Sequence, residues 1–293
     1  MSTLFDRDEP AMKIGALASW FGSNRMLGAE VGKLLAGCSW VGVPFGGGLS
    51  EIPHIKALTI VVSDLHRHIL ALAEVIKKRE TKAMLVEKLD AELFHPDTLA
   101  DAQGLCIEIE SKFGTHEFHD LCNSEAFMVK WAAAYFVCSW MGRSANAGTD
   151  SEFKGNISTR WTSSGGDSNK RYRSAVEGIE AWHHIAKRCN FVGQDVFEFL
   201  ENVKDEAWCG VYEDSPFPGP GDRYKHKFTL EQHKRLAKRN AEFSKARIVC
   251  RFYDVPLIRE LYPETHWKWH YLKGRDQANQ DHKPEVLLVR NGV

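Results

Sequence analysis

A short apolar strand pattern in this chain runs straight into three consecutive glycines. Ser39-Trp40-Val41-Gly42-Val43-Pro44 reads as a strand, and Phe45-Gly46-Gly47-Gly48 follows at once. A second apolar run, Leu58 to Val62, ends at Ser63-Asp64. Glycines at a strand end let the backbone approach a ligand closely, because no Cβ intrudes. An acidic residue at the end of the next strand can accept hydrogen bonds from ribose hydroxyls. Strand, glycine turn, strand and acidic end is the layout of nucleotide-binding α/β domains. The pattern G-x-G-x-x-G is not met, which argues against a dinucleotide cofactor. Gly28 to Lys33 lacks both the spacing and the Ser or Thr of a phosphate-binding P-loop.

Around this unit the periodicity changes twice. Helical spacing is seen from Met26 to Leu35 and again through Ile69, Leu72, Ala73 and Ile76. Residues 79–140 are helical in pattern with no clear strand. Residues 142–173 are rich in Gly, Ser, Thr and Asn and read as a long polar loop. They carry six basic residues (Arg143, Lys154, Arg160, Lys170, Arg171, Arg173) against three acidic ones (Asp150, Glu152, Asp167). That segment is either a solvated linker or a loop that contacts DNA phosphates. After residue 174 strands and helices alternate again. A helix is expected over about 175–187, then strands at Asn190–Gly193 and Trp208–Tyr212, a helix over about 230–244, and strands at Arg247–Phe252 and Glu285–Arg290.

The totals set limits on this reading. The chain has 293 residues, 43% of them hydrophobic, enough for one large core with or without a smaller attached region. Its net charge is -1, so any nucleic-acid surface must be a local basic face. The seven cysteines form no CxxC pair, and an odd number in a chain this large fits reduced thiols and a cytoplasmic protein. Met1 to Met12 has no apolar segment behind basic residues, so no secretory signal is expected. No apolar run approaches the roughly 20 residues of a membrane helix.

The second candidate site is Asp214-Ser215-Pro216-Phe217, at the end of the Trp208–Tyr212 strand. Its residue types suit an exocyclic amine. Such a nitrogen is a weak nucleophile because its lone pair is delocalised into the ring. Asp214 and the Ser215 carbonyl can accept its two hydrogens, and Phe217 can stack on a flipped base. The competing reading of Asp-Ser-Pro is a plain turn. His116-Glu117-Phe118-His119 has its histidines three apart rather than the four of a zinc protease helix, and His183-His184 fall on different helix faces, so no metal site is expected. Arg235, Lys238 and Arg239 read as a solvated helix face.

Taken in order, these motifs resemble the Dam-type DNA adenine-N6 methyltransferases over most of the chain. Trp20-Phe21-Gly22-Ser23-Asn24-Arg25 stands where that family has Trp-x-Gly-Gly-Lys. Val43-Pro44-Phe45-Gly46-Gly47-Gly48 looks like its cofactor motif, and Ser63-Asp64-Leu65-His66 stands at its Asp-x-Asn. Gly193-Gln194-Asp195-Val196-Phe197 is similar to its Gly-Asp-Phe segment, and Asp214-Ser215-Pro216-Phe217 stands at its Asp-Pro-Pro-Tyr. Tyr224, Phe228-Thr229 and His233-x-x-Leu236 follow, then Phe252-Tyr253-Asp254 and Glu285-Val286-Leu287-Leu288. The chain departs from the family at the missing Lys, at His66 for Asn, at Ser215 for Pro and at Phe217 for Tyr.

The resemblance implies a Rossmann-like α/β methyltransferase sheet, mostly parallel, in residues 1–79 and 174–293, with residues 80–173 inserted as a helical target-recognition region. It implies methyl transfer from S-adenosylmethionine to a flipped adenine in duplex DNA. Trp20, Asn24, Arg25, Pro44, Phe45, Gly46, Gly47, Gly48, Asp64, Leu65, Asp195, Val196 and Asp214 would then hold the cofactor. Asp214, Ser215, Pro216 and Phe217 would act on the base, and Arg143, Lys154, Arg160, Lys170, Arg171 and Arg173 would contact DNA. Two other readings stand beside it: a catalytically weak or inactive DNA-binding relative, and a methyltransferase acting on cytosine N4 or on RNA.

Overall fold

The computed structural model describes residues 16–21, 27–112, 124–143, 146–159, 167–272 and 284–291. Seven strands form one sheet: β1 (Trp40–Val43), β2 (Thr59–Ser63), β3 (Cys189–Val192), β4 (Cys209–Glu213), β5 (Arg247–Tyr253), β6 (Lys268–Tyr271) and β7 (Glu285–Arg290). Their spatial order is β3-β2-β1-β4-β5-β7-β6. The first five run parallel, whereas β7 is antiparallel to both β5 and β6. The order therefore reverses between β1 and β4, which creates a crevice at the carboxyl ends of those two strands.

The side-chain period of two explains why both faces are covered. Along β5, Ile248, Cys250 and Phe252 enter one core while Val249 enters the other; along β7, Val286 and Leu288 part from Leu287 and Val289 in the same way. The ten helices with described bounds are α1 (Gly28–Leu34), α2 (Arg67–Lys77), α3 (Arg79–Ala91), α4 (Pro96–Glu110), α5 (Glu125–Met141), α6 (Ser168–Glu177), α7 (Ile179–Ala186), α8 (Val196–Glu201), α9 (Leu230–Glu242) and α10 (Pro256–Leu261). The chain is thus a mixed α/β fold, its mostly parallel sheet flanked by helices, compatible with a Rossmann-like architecture.

Among the described residues no strand lies between α3 and α6. The helices there gather round α5, which packs against α2, α3, α4 and α6. Its residues Trp131, Tyr135, Phe136 and Met141 are almost fully enclosed, as expected for a helix that is apolar on every side. This helical layer shares one continuous core with one face of the sheet.

Several local expectations are corrected. The polar segment is not a loop to its end: α6 begins at Ser168, because Asp167 caps it by accepting from Lys170 N at 2.6 Å. The helix expected over 175–187 is two helices, α6 and α7, parted at Gly178. Strand β6 and the short helices α8 and α10 had no clear sequence signal. β6 is an edge strand exposed along most of its length, so it carries no apolar alternation to read. Among the described residues no helix is long and apolar enough to cross a membrane. The six described cysteines are free and buried.

Candidate active site

The carboxyl ends of β3, β2, β1 and β4 open into one cleft of about 920 Å³, measured out to its mouth. Pro44, Phe45, Gly46, Gly47 and Gly48 come to it from β1, Asp64 and Leu65 from β2, Asp195 and Val196 from β3, and Asp214 and Pro216 from β4. Trp20 closes one side. The structure therefore gathers most of the sequence-predicted cofactor residues at a single place. Asn24, Arg25 and Arg160, together with Trp161 and the His116–His119 segment, lie outside the described residues.

The glycine turn is held by its neighbours' backbone and by one carboxylate. Gly46 N donates to Ser63 O at 2.9 Å, and Gly47 N donates to Asp64 Oδ2 at 2.7 Å. Asp64 Oδ1 accepts from His66 N at 2.8 Å, so this carboxylate fastens both strand ends as well as facing the cleft. Gly47 has φ +48°, and a Cβ on Gly48 would sit 2.7 Å from the Trp20 Cβ. Leu49 is also left-handed, with φ 60°, a conformation that costs on the order of 1–3 kcal/mol outside glycine. The turn does not lead into a long helix. It is followed by a one-turn 3-10 helix at Ile52–His54 carrying Pro53, so no helix N-terminus points at the glycines as it does in a dinucleotide site.

The third strand end is fixed through Ser63. Its hydroxyl donates to Gln194 O at 2.7 Å and accepts from Gln194 N at 3.1 Å. Asp195 then caps α8, accepting from Phe197 N at 2.9 Å. A strap crosses the mouth above these strand ends. Trp20 bridges Ala147, Thr149 bridges Tyr224, Lys225 N donates to Gly148 O at 2.9 Å, and Tyr224 Oη donates to Phe21 O at 2.8 Å.

His66 anchors the strap. Its side chain is buried and its Nε2 lies 2.7 Å from Glu152 Oε2. Burial is the largest influence and would lower the ring's pKa, but the charge and hydrogen bond of Glu152, with the charges of Asp64 and Glu110, together outweigh it and raise the value. Beside it, burial pushes His68 down to about 4, so its neutral ring accepts from Trp131 Nε1 at 2.7 Å. Burial works to raise the Glu110 carboxyl, yet hydrogen bonds from His68 and Lys225 hold it down at about 2.

The Asp214 end is built from charged side chains. Asp214 Oδ2 accepts from Arg251 Nη1 at 2.7 Å, and Arg251 Nη2 donates to Glu285 Oε1 at 3.1 Å. Burial pushes the Asp214 carboxyl up from its ordinary value, and Arg251 pulls it partway back. Glu51, just past the glycines, also lines the cleft; burial, and then the Asp214 charge, push it up to about 7. Phe217 is half-buried against the core that holds Phe252 and does not line the cleft; it stands edge-on to Tyr253 with centroids 4.8 Å apart. Ser215 is buried, and its side chain is not in the cleft wall.

The predicted basic set divides. Arg143 and Lys154 are exposed, and Lys170 is exposed on α6. Arg171 turns inward, 5.0 Å from the Trp140 ring, and donates to Ser19 Oγ at 3.1 Å. Arg173 donates to the Asp90 and Glu92 carbonyls at 3.1 and 2.9 Å, closing the end of α3. Trp140 is a core residue, donating to Leu17 O at 3.1 Å. On α9, Arg235 covers the Phe197 ring at 3.8 Å and Arg239 donates to Leu200 O at 2.9 Å, so this face is packed as well as solvated. Among the described residues no group of His, Cys, Asp and Glu is arranged to hold a metal ion.

Glu51, His226 and Lys227 also line the cleft and Arg251 bonds to Asp214, though no sequence motif marks them. Arg251 left a trace, a charge inside an otherwise apolar strand run; Glu51 left none. No protein-family model matches the chain, and no curated protein matches it in sequence.

Proposed function

We propose that this protein binds S-adenosylmethionine and transfers its methyl group to the N6 amine of an adenine flipped out of duplex DNA. One observation carries the reading: the glycine turn, Asp64, Asp195 and Asp214 meet at the reversal point of a parallel sheet, in a cleft whose wall holds the carboxyls of Glu51, Asp64, Asp195 and Asp214. An acidic cleft without a helix N-terminus at its glycines suits a cofactor that carries hydroxyls and positive charge, and opposes one that carries phosphates. The reversed strand between β5 and β6 suits the methyltransferase sheet that the resemblance implies.

Bound there, S-adenosylmethionine would supply an electrophilic methyl on a sulfonium. The residues present fit it: the glycines leave room for close backbone contact, Asp64 and Asp195 offer acceptors for hydroxyls, and Phe45, Val196 and Trp20 offer apolar walls. At the other end Asp214 accepts a hydrogen of the target amine through Oδ1, since its bond to Arg251 uses Oδ2. That acceptance localises the nitrogen lone pair for in-line attack, and positioning supplies most of the rate. Exposed Arg143 and Lys154 lie on the segment that sends Gly148 into the cleft wall, where they can meet DNA phosphates. Nucleoside analysis of DNA from cells expressing the protein tests this. N6-methyladenine is expected; N4-methylcytosine would move the reading to the other amine, and no modified base would count against transfer to DNA.

A further inference from the structure

The strand register places Arg251 directly beside Asp214. Glu213 on β4 pairs with Cys250 on β5, so the next residues along, Asp214 and Arg251, stand side by side and share a face. On the other side, Arg251 pairs with Leu287 and Glu285 lies two residues away on the same face of β7. The guanidinium is only 4% exposed and spans the two carboxylates at 2.7 and 3.1 Å. Its Cζ also lies 5.3 Å from the centroid of the Phe217 ring.

We infer that Arg251 is the positioning residue of the target-amine site: one guanidinium fixes the Asp214 carboxylate through Oδ2, turns Oδ1 to the cleft and backs the Phe217 ring. The inference rests on the proposed methyl transfer and names what aligns the amine in it. Three geometric facts support a positioning role over a simple fold staple. The bond lands on one oxygen of a carboxylate that is still 23% exposed to the cleft. The same cation meets the aromatic residue expected to stack on the base. Its planar fork, unlike an ammonium, sets the direction of both contacts. The groups that face this cation are Asp214 and Tyr212 from β4, Glu285 from β7, Tyr253 on its own strand, Glu51 from the glycine turn and Tyr224 from the strap.

The experiment compares wild type with Arg251→Lys and Arg251→Met. Lys keeps a buried cation and so spares the fold; Met removes the charge. With the full chain and duplex DNA, Arg251→Lys is expected to lower kcat by about a hundredfold through misplacement of the acceptor. Affinity for S-adenosylhomocysteine should stay within about threefold, because that end of the cleft does not contact Arg251. In Arg251→Met the acid limb of the pH–rate profile should move to higher pH, since Asp214 loses its cation. Three results would overturn the inference: an unchanged kcat in Arg251→Lys, a parallel loss of cofactor affinity, or a Lys variant that does not fold. If wild type itself transfers no methyl, the functional reading fails separately. Carbon-13 NMR titration of Asp214 then decides the clamp alone, with a higher pKa in Arg251→Met supporting it and an unmoved one overturning it.

Discussion

The two ends of the cleft are made of different material. The end proposed to hold the cofactor is made of backbone: three glycines, a left-handed Leu49, and a carboxylate whose two oxygens each accept a main-chain N–H. The end proposed for the target amine is made of side chains drawn from distant parts of the chain, with Asp214, Arg251 and Glu285 in one line and Glu51 facing them. A backbone-built site tolerates little added volume. A charge-built site tolerates volume but responds to protonation and to loss of a partner.

Variants at each end should therefore fail in different ways. The largest expected effect is from Gly48→Val. Its Cβ would meet Trp20 at 2.7 Å, so cofactor affinity should fall by at least about a hundredfold in calorimetry. Normal binding by the Gly48→Val variant would mean that the glycines only make a turn. Asp64→Asn should act less strongly. It keeps the shape but loses a charged acceptor, worth about 1.5–3 kcal/mol, so affinity should drop roughly tenfold to a hundredfold. An equal drop in DNA affinity would blur the distinction between the two ends.

The smallest effect is thermodynamic and belongs to the target end. Glu213, next to Asp214, is fully buried, with its carboxylate accepting from Asn240 Nδ2 at 2.6 Å. Burial pushes its pKa up to about 7 from an ordinary carboxylate value. A raised carboxyl binds its proton more tightly when folded, so its contribution is present at low pH and is lost as pH climbs from about 4.5 through 7. In Glu213→Gln that loss is absent. The melting temperature of the variant relative to wild type should rise across this window and level off above it. A constant difference from pH 4 to pH 8 would show that Glu213 titrates normally.

The same contrast explains what could be read from the sequence. Gly46 to Gly48 and Asp64 announce themselves because they are close in the chain and their roles are local. The strands β1, β2, β4, β5 and β7 were legible because they are apolar runs buried on both faces. The end of the polar segment carries no helical signal because α6 depends on a cap at Asp167 and on packing against α3 and α5, neither of which alters periodicity. Arg171 and Arg173 looked like phosphate contacts, yet their donors meet Ser19 and the end of α3. The partners of Asp214 were hidden because strand register, not sequence distance, brings Arg251 and Glu285 to it. Glu51 became visible only once the glycine turn had been folded back toward β4.

The measurement closest to the central claim is incorporation of labelled methyl from S-adenosylmethionine into duplex DNA of mixed sequence, by wild type and by Asp214→Ala. The account predicts labelling by wild type and loss of at least about a hundredfold in the variant. Wild-type protein that binds the cofactor but labels no DNA, or an Asp214→Ala variant that labels as well as wild type, would contradict it.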